Sequence, residues 1–185
     1  MRDNEILETL LALDQKISNR LRIREDQELL KTLLSFLAHS GDSWYIEMAL
    51  FLIWFFTKGK AHTVSAYFAG SVIIQAFIVI AIKFLIKRER PQGSWGTVYR
   101  NTDPHSFPSG HAARAIMLSV LAFSFNLPLI GWITLLWGIL LSFARVALGV
   151  HYLVDIIAGW IIGILLGFLM ASLKPFFFAL FPFAF

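Results

Sequence analysis

A short polar stretch at the start of one apolar segment has the residue types of an anion-binding site. It reads SFPSGHAARA and covers residues 106–115. Ser109 is a favoured helix N-cap residue, and Gly110 lets a ligand approach the backbone closely. The first-turn amides of a helix that starts here have no intrahelical partner, so they can bind a phosphate. His111 stands beside them; taken alone, it is also explained as a capping or packing histidine.

A second group of residues, ARVALGVHYLVD at 144–155, combines an arginine, a histidine and an acid. His151 and Asp155 are four residues apart, so they share one face of a helix. A carboxylate there can hold one imidazole nitrogen and leave the other to attack or to accept a proton. Arg145 carries a planar fork of donors that suits phosphate. A structural His–Asp pair remains the alternative.

A third group, KFLIKRERP at 83–91, is a row of cations. On a helix that continues to its end at Pro91, Lys83, Lys87 and Arg90 fall within roughly 60° of one face. Arg88 points elsewhere. Three cations on one face repel one another unless an anion lies against them. Snorkelling of these side chains towards lipid headgroups is the alternative explanation.

The elements that must position these groups are membrane helices. Hydrophobic residues make up 57% of the 185-residue chain, and the mean hydropathy is +0.68, well above the range of soluble domains. Apolar segments predict five spans, at about 44–57, 61–86, 109–126, 128–146 and 151–173. We therefore predict one domain over 1–185, an all-α membrane protein with a bundle of about five or six transmembrane helices.

The two ends of the chain have a different character. Segments 4–20 and 26–39 have apolar residues at helical spacing on one face and charges on the other. They are predicted to be amphipathic helices on the membrane surface or against the bundle, within an interfacial region 1–43. A soluble helical cap is the alternative. The core then covers 44–173, and the aromatic tail 174–185 is expected at the interface.

Alternating spans bring the three polar groups to one face of the membrane. The junction between the second and third spans and the junction between the fourth and fifth spans lie on the same side. Cations, an anion-binding helix end, two histidines and an orienting acid then meet there. This combination predicts phosphoryl transfer without a metal, with one histidine as nucleophile and the other as acid.

The three groups resemble the signature motifs of the type 2 phosphatidic acid phosphatase superfamily, K-x6-R-P, P-S-G-H and S-R-x5-H-x3-D. The matching residues are Lys83 with Arg90-Pro91, then Pro108-Ser109-Gly110-His111, then Arg145 with His151 and Asp155. One position departs, because Ala144 stands where the family has a serine and so lacks its hydroxyl. The family's membrane members also commonly have six spans, whereas five are counted here behind two amphipathic helices.

The resemblance implies a role for each motif residue. His151, oriented by Asp155, would attack phosphorus and form a phosphohistidine. His111 would protonate the leaving oxygen and then activate the water that frees the phosphate. The groups that would hold the phosphoryl oxygens are Lys83, Arg90, Ser109, the Gly110 amide and Arg145. No metal and no cofactor are required.

The resemblance also implies a lipid substrate, since the superfamily's soluble vanadium haloperoxidases do not fit so apolar a chain. The candidate substrates are undecaprenyl diphosphate, phosphatidylglycerophosphate and the 1-phosphate of lipid A. Basic residues outside the motifs predict contacts with a headgroup that carries more than one anion: Lys87, Arg88, Arg100 and Arg114. Attraction to anionic bilayer lipids is the alternative for these four. A lipid phosphotransferase and an inactive lipid-binding protein are the alternative functions.

Charge and cysteine content bound the remaining possibilities. The chain has no cysteine, which excludes disulfides, thiolate metal sites and a cysteine nucleophile. A net charge of +4 in a membrane protein does not require nucleic acid, and none is expected.

The resemblance implies the bacterial cytoplasmic membrane, with an extracytoplasmic site and with Lys58, Lys60 and Lys174 in the cytoplasm. The cations of residues 1–43 outnumber these three and count against that orientation. No cleavable signal peptide is evident.

Overall fold

The computed structural model describes residues 2–24, 26–92 and 103–185, which form α-helices joined by short connections. The helices are α1 (Arg2–Arg20), α2 (Glu28–His39), α3 (Ser43–Phe56), α4 (Lys60–Ile86), α5 (Gly110–Ser124), α6 (Pro128–Ala147) and α7 (Leu153–Leu180), followed by a 3-10 turn at Pro182–Ala184. Within the described ranges, β pairing is confined to one isolated bridge between Glu89 and His105. The predicted segments match these helices closely, except that α7 begins at Leu153 rather than 151 and continues past 173 to Leu180.

In the part of the chain that the structure describes, three helices are long and apolar enough to cross a membrane, and these are α4, α6 and α7. The 28 residues of α7 extend about 42 Å at a rise of about 1.5 Å per residue, which exceeds a hydrocarbon core of about 30 Å. The apolar helices α3 and α5 have only 14 and 15 residues. Of the five predicted spans, three therefore have full spanning length and two are shorter apolar helices.

Helix α5 lies at the centre of the bundle and packs closely against α6 and α7. Its small residues Ala112, Ala113 and Ala115 are completely buried. On the facing side of α7, a Cβ added to Gly159 would lie 2.7 Å from the carbonyl oxygen of Ser109. Small residues on both helices thus allow the backbones to approach closely, as is common in membrane bundles. This contact brings the polar start of α5 against the start of α7.

The end of α4 differs from the sequence prediction. Lys87 adopts the left-handed conformation with φ 53°, so the helix ends at Ile86 rather than near Pro91. A left-handed residue stops a helix because its carbonyl no longer follows the helical direction. The shared helical face of Lys83, Lys87 and Arg90 was therefore predicted wrongly. Lys87 is exposed, whereas Arg90 lies in the following extended segment and is buried.

The N-terminal helix α1 has its polar side, not its apolar side, against the bundle. Asp14 and Ser18 are 6% and 2% exposed, and both hydrogen-bond to the start of α7. The apolar residues at helical spacing are exposed, and these are Ile6, Leu10, Leu13 and Ile17. The apolar face of α1 therefore points away from the bundle. A helix that lies on a membrane surface needs such an exposed apolar face to contact the lipid.

Candidate active site

A cavity of about 310 Å³ opens between α4, α5 and the segments that follow α4 and α6. Five of the residues singled out in the sequence line it: Lys83, Gly110, His111, Arg114 and His151. They come from three separate stretches of the chain, which the packing of α5 against its neighbours brings together. The remaining lining includes apolar side chains of α4, such as Val79 and Phe84.

His151 lies in the connection between α6 and α7 and is 1% exposed. Because α7 begins only at Leu153, the prediction that His151 and Asp155 share one face of a helix was wrong. Its Nε2 atom is 3.3 Å from Nη1 of Arg90, and its Nδ1 atom is 3.4 Å from Oδ2 of Asp155. Burial lowers the pKa of His151 well below its ordinary value, and the cations Arg90, Arg145 and Lys83 lower it further. The imidazole is therefore neutral at pH 7, which is the form that can act as a nucleophile.

Lys83 and Arg90 converge on one carboxylate, that of Asp103. Oδ2 of Asp103 lies 2.5 Å from Nζ of Lys83 and 2.7 Å from Nη2 of Arg90. Arg90 also donates to the carbonyl oxygens of Asp103 and Val150, at 2.6 and 2.9 Å. Both cations are almost completely buried, so an anion between them is electrostatically necessary. In this structure, Asp103 supplies that anion.

Asp155 is fully buried and joins His151 to a wider charge network. Its Oδ1 atom accepts a hydrogen bond from Arg88 at 2.6 Å, and its Oδ2 atom accepts one from the Tyr152 amide at 2.9 Å. The other terminal nitrogen of Arg88, Nη2, donates a hydrogen bond to Oδ2 of Asp14 in α1 at 2.6 Å. The guanidinium also lies over the ring of Tyr152, 4.2 Å from its centroid. Arg88 thus links two carboxylates.

Ser109 is the N-cap residue of α5. The side chain of Ser109 caps α5 by accepting a hydrogen bond from the Ala112 amide at 3.4 Å. The Ser109 amide in turn donates to the carbonyl oxygen of Asp155 at 3.0 Å, which ties this helix end to α7. Arg145 is buried in the last turn of α6, and its carbonyl oxygen accepts from the Val150 and His151 amides.

His111 and Arg114 lie on the same side of α5 and contact the connection between α2 and α3. Nε2 of His111 is 2.7 Å from Oδ1 of Asp42. Arg114 donates to the carbonyl oxygen of Gly41 at 2.7 Å and to Oγ of Ser43 at 2.6 Å. Arg114 therefore lines the cavity while it anchors this connection. Burial opposes ionisation of Asp42, but hydrogen bonds from His111 and His39 lower its pKa to about 2.

Of the basic residues predicted to contact a headgroup, Arg114 lines the cavity, whereas Lys87 and Arg88 do not. Lys87 is exposed at the end of α4, outside the cavity lining. Arg100 lies outside the described residues. The sequence reasoning also missed three acids that contact the predicted residues, namely Asp14, Asp42 and Asp103. Each of these acids lies outside the three motifs. The sequence could have pointed to them only because acidic residues are few in this chain.

Comparison with known families identifies this constellation. The sequence model of the PAP2 superfamily matches residues 64–178, which is more than half of the chain. The chain belongs to the PAP2 superfamily. The resemblance of the three motifs is thereby confirmed, and all three lie inside the matched region. The PAP2 position that departs from the motif, Ala144, is fully buried in an apolar cluster with Ala38 of α2.

Two curated PAP2 relatives are similar over much of the chain. The undecaprenyl-diphosphatase BcrC of Bacillus subtilis (strain 168) is 29% identical over 135 residues, which cover 70% of this chain and 69% of that protein. An undecaprenyl-diphosphatase of Sulfolobus acidocaldarius is 29% identical over 117 residues, which cover 57% of this chain and 55% of that protein. Together, the family match and these two relatives identify the protein as a lipid phosphatase.

Two solved structures share the fold. A transmembrane PAP2 type phosphatidylglycerolphosphate phosphatase from Bacillus subtilis superposes with a TM-score of 0.70 at 23% identity, covering 90% of this chain and 87% of that one. Aquifex aeolicus LpxE superposes with a TM-score of 0.66 at 22% identity, covering 88% and 94%. With the three helices of spanning length, these matches identify an all-α integral membrane protein.

Proposed function

We propose that this PAP2 protein removes the terminal phosphate of a polyprenyl diphosphate lipid such as undecaprenyl diphosphate. Two relatives that are undecaprenyl-diphosphatases support the diphosphate over phosphatidylglycerophosphate and lipid A 1-phosphate. The observation that carries the proposal is the cavity lined by His151, Lys83 and His111, where Nε2 of His151 lies 3.3 Å from Nη1 of the buried Arg90. A buried neutral histidine beside two buried cations suits attack on a phosphoryl group.

In the first step, the Nε2 lone pair of His151 forms a bond to the terminal phosphorus. The bond between that phosphorus and the bridging oxygen breaks, and its electron pair goes to the oxygen. His111 donates a proton to that oxygen, and the lipid monophosphate leaves. Asp155, 3.4 Å from Nδ1 of His151, stabilises the positive charge that develops on the phosphorylated ring.

In the second step, water attacks the phosphohistidine and breaks the bond between nitrogen and phosphorus. His111, now neutral, accepts the proton of the water, and inorganic phosphate leaves. Lys83, Arg90, Arg145 and the start of α5 at Ser109 and Gly110 hold the equatorial oxygens throughout. These donors offset the charge of the transition state, which is the main requirement of phosphoryl transfer. Bound phosphate takes the position between the cations that Asp103 occupies.

The first experiment measures phosphate release by the purified protein in detergent with EDTA. The panel contains undecaprenyl diphosphate, phosphatidylglycerophosphate, phosphatidic acid and lipid A, each tested with wild type and with His151→Ala. We expect release from the diphosphate with at least about a thousandfold loss in the variant, the scale seen when a nucleophile is removed. Thermal unfolding of His151→Ala checks that the variant is folded.

The panel distinguishes the alternatives. Release from a different lipid would replace the proposed substrate, and release that persists in His151→Ala would overturn the assignment of the nucleophile. Loss of phosphate from the donor without release of inorganic phosphate, in the presence of a second lipid, would identify a phosphotransferase. A folded wild type that leaves every lipid intact would favour a lipid-binding protein.

A further inference from the structure

The connection between α2 and α3 places a carboxylate against His111. Nε2 of His111 lies 2.7 Å from Oδ1 of Asp42, and the other oxygen of Asp42 lies 3.0 Å from Nδ1 of His39. Among the described residues, no hydrogen bond involves Nδ1 of His111, whose ring lines the cavity. His111 thus presents one nitrogen to an acid and has the other available to a substrate.

The connection is anchored so that Asp42 is held in this position. Arg114, three residues after His111 on α5, binds the carbonyl oxygen of Gly41 and the hydroxyl of Ser43, the residues on either side of Asp42. Nε1 of Trp137 on α6 donates to Oγ of Ser40 at 2.9 Å. Two central helices therefore fix a short connection whose acid points at a motif histidine.

The charge of Asp42 decides which nitrogen of His111 carries the proton. A carboxylate accepts hydrogen bonds and donates none, so the neutral imidazole must keep its proton on Nε2. Its Nδ1 then holds a lone pair, and in the protonated form the Nδ1 proton is the one that can leave. Other charges near His111 are the cations Arg145 and Arg114. Glu47 lies near Arg114, and Asp42 is the acid that hydrogen-bonds to the ring itself and so stabilises the imidazolium when it forms.

We infer that Asp42 is a positioning residue for His111, which sets its tautomer and stabilises its protonated form during departure of the leaving group. The inference rests on the proposed function of His111 as the acid. It parallels the pairing of Asp155 with His151, so each of the two motif histidines has its own acid. Asp42 comes from a segment outside the three motifs, before residue 83.

The first test compares Asp42→Asn with wild type on farnesyl phosphate and farnesyl diphosphate. The two substrates share a tail, but only the monophosphate expels an alkoxide, which needs a proton far more than a phosphate does. The ratio kcat/KM reports only the steps up to departure of this group. We expect kcat/KM to fall by about a hundredfold on the monophosphate, which is the usual scale of general acid catalysis. On the diphosphate we expect kcat/KM to fall by only about tenfold.

Ser40→Ala is the matched control, because it removes an anchor of the same connection without contacting His111. Its kcat/KM should change by the same factor on both substrates. Equal losses of Asp42→Asn on both substrates would show a merely structural role and overturn the inference. An unchanged Asp42→Asn would overturn it as well.

The second test reads the tautomer of His111 by NMR of 15N-histidine-labelled wild type in detergent, assigned with His111→Gln. We expect the neutral ring to carry its proton on Nε2, and the preference to weaken in Asp42→Asn. A proton on Nδ1 in wild type would overturn the inference. This measurement requires no turnover, so it tests the tautomer of His111 even if the proposed substrate is wrong, and the wild-type result alone can overturn the inference if Asp42→Asn does not fold.

Discussion

At the scale of single residues, we predict that Asp103 competes with phosphate for the cavity. Its carboxylate lies between Lys83 and Arg90, at 2.5 and 2.7 Å from their nitrogens. A phosphate must displace it before both cations can bind the phosphoryl oxygens. We predict that Asp103→Asn lowers the Kd for inorganic phosphate by about tenfold, or about 1.4 kcal/mol. Isothermal titration calorimetry of the detergent-solubilised protein measures this.

Glu89→Gln is the control for this prediction, since it makes the same change of charge nearby on an exposed residue. Its Kd for phosphate should stay near that of wild type. A Kd that rises or does not change in Asp103→Asn would mean that Asp103 does not compete with phosphate. Because Lys83 and Arg90 are buried, Asp103→Asn should also unfold at a lower temperature without phosphate and be rescued by it.

At the scale of elements, α1 caps the start of α7 from outside. Oγ of Ser18 accepts from the Leu153 amide at 2.9 Å, and Oδ1 of Asp14 accepts from the Val154 amide at 3.2 Å. These amides belong to the first turn of α7 and have no partner within that helix. The same Asp14 holds Arg88, which holds Asp155. An N-terminal helix thus contributes to the position of the acid beside His151.

Two substitutions in α1 separate capping from the charge network. Ser18→Ala removes one cap and should cost about 1 kcal/mol of stability with activity retained. Asp14→Ala also leaves Arg88 with one carboxylate fewer, so we predict a larger loss of stability, about 1–3 kcal/mol, together with a lower kcat. Thermal unfolding in detergent and phosphate release measure the two effects.

Gln15→Ala, at an exposed position of the same helix, should change neither stability nor kcat. If Asp14→Ala lowers stability no more than Ser18→Ala and leaves kcat intact, then α1 only covers the bundle and does not support the site.

At the scale of the whole molecule, the site and the N-terminal helices lie at one end of the bundle. The amide of Ile23, between α1 and α2, donates to the carbonyl oxygen of Ala147 at the end of α6. The turn between α3 and α4, with Lys58, comes at the other end of α4 from the cavity residue Lys83. With the site proposed on the extracytoplasmic face, positions 24 and 58 report opposite sides of the membrane.

The chain has no cysteine, so single-cysteine variants test this orientation without further substitutions. We predict that a membrane-impermeant maleimide labels Arg24→Cys in intact bacterial cells and labels Lys58→Cys only after the membrane is opened. Equal labelling of both variants in opened cells is the control. The reverse pattern would put the site in the cytoplasm, as the cations of residues 1–43 favour by the positive-inside rule.

The sequence by itself determined the fold class, the family and the residues of the three motifs. Helical apolar segments are a local property, because a membrane helix satisfies its own backbone hydrogen bonds. Their approximate bounds could therefore be read directly. The order of the spans was enough to predict that residues near 83, 111 and 151 share one face, and the cavity contains all three.

Only the tertiary structure decided which charges pair. Lys87 ends α4 in a left-handed conformation, so Arg90 points inward from an extended segment that no helical wheel describes. Arg88 binds Asp14 and Asp155, and His111 binds Asp42, across separations of 67 to 74 residues. Such pairs depend on how helices pack, and a buried charge takes whichever partner the packing brings close. That is why the motif histidines were visible in the sequence, while the acid of His111 was not.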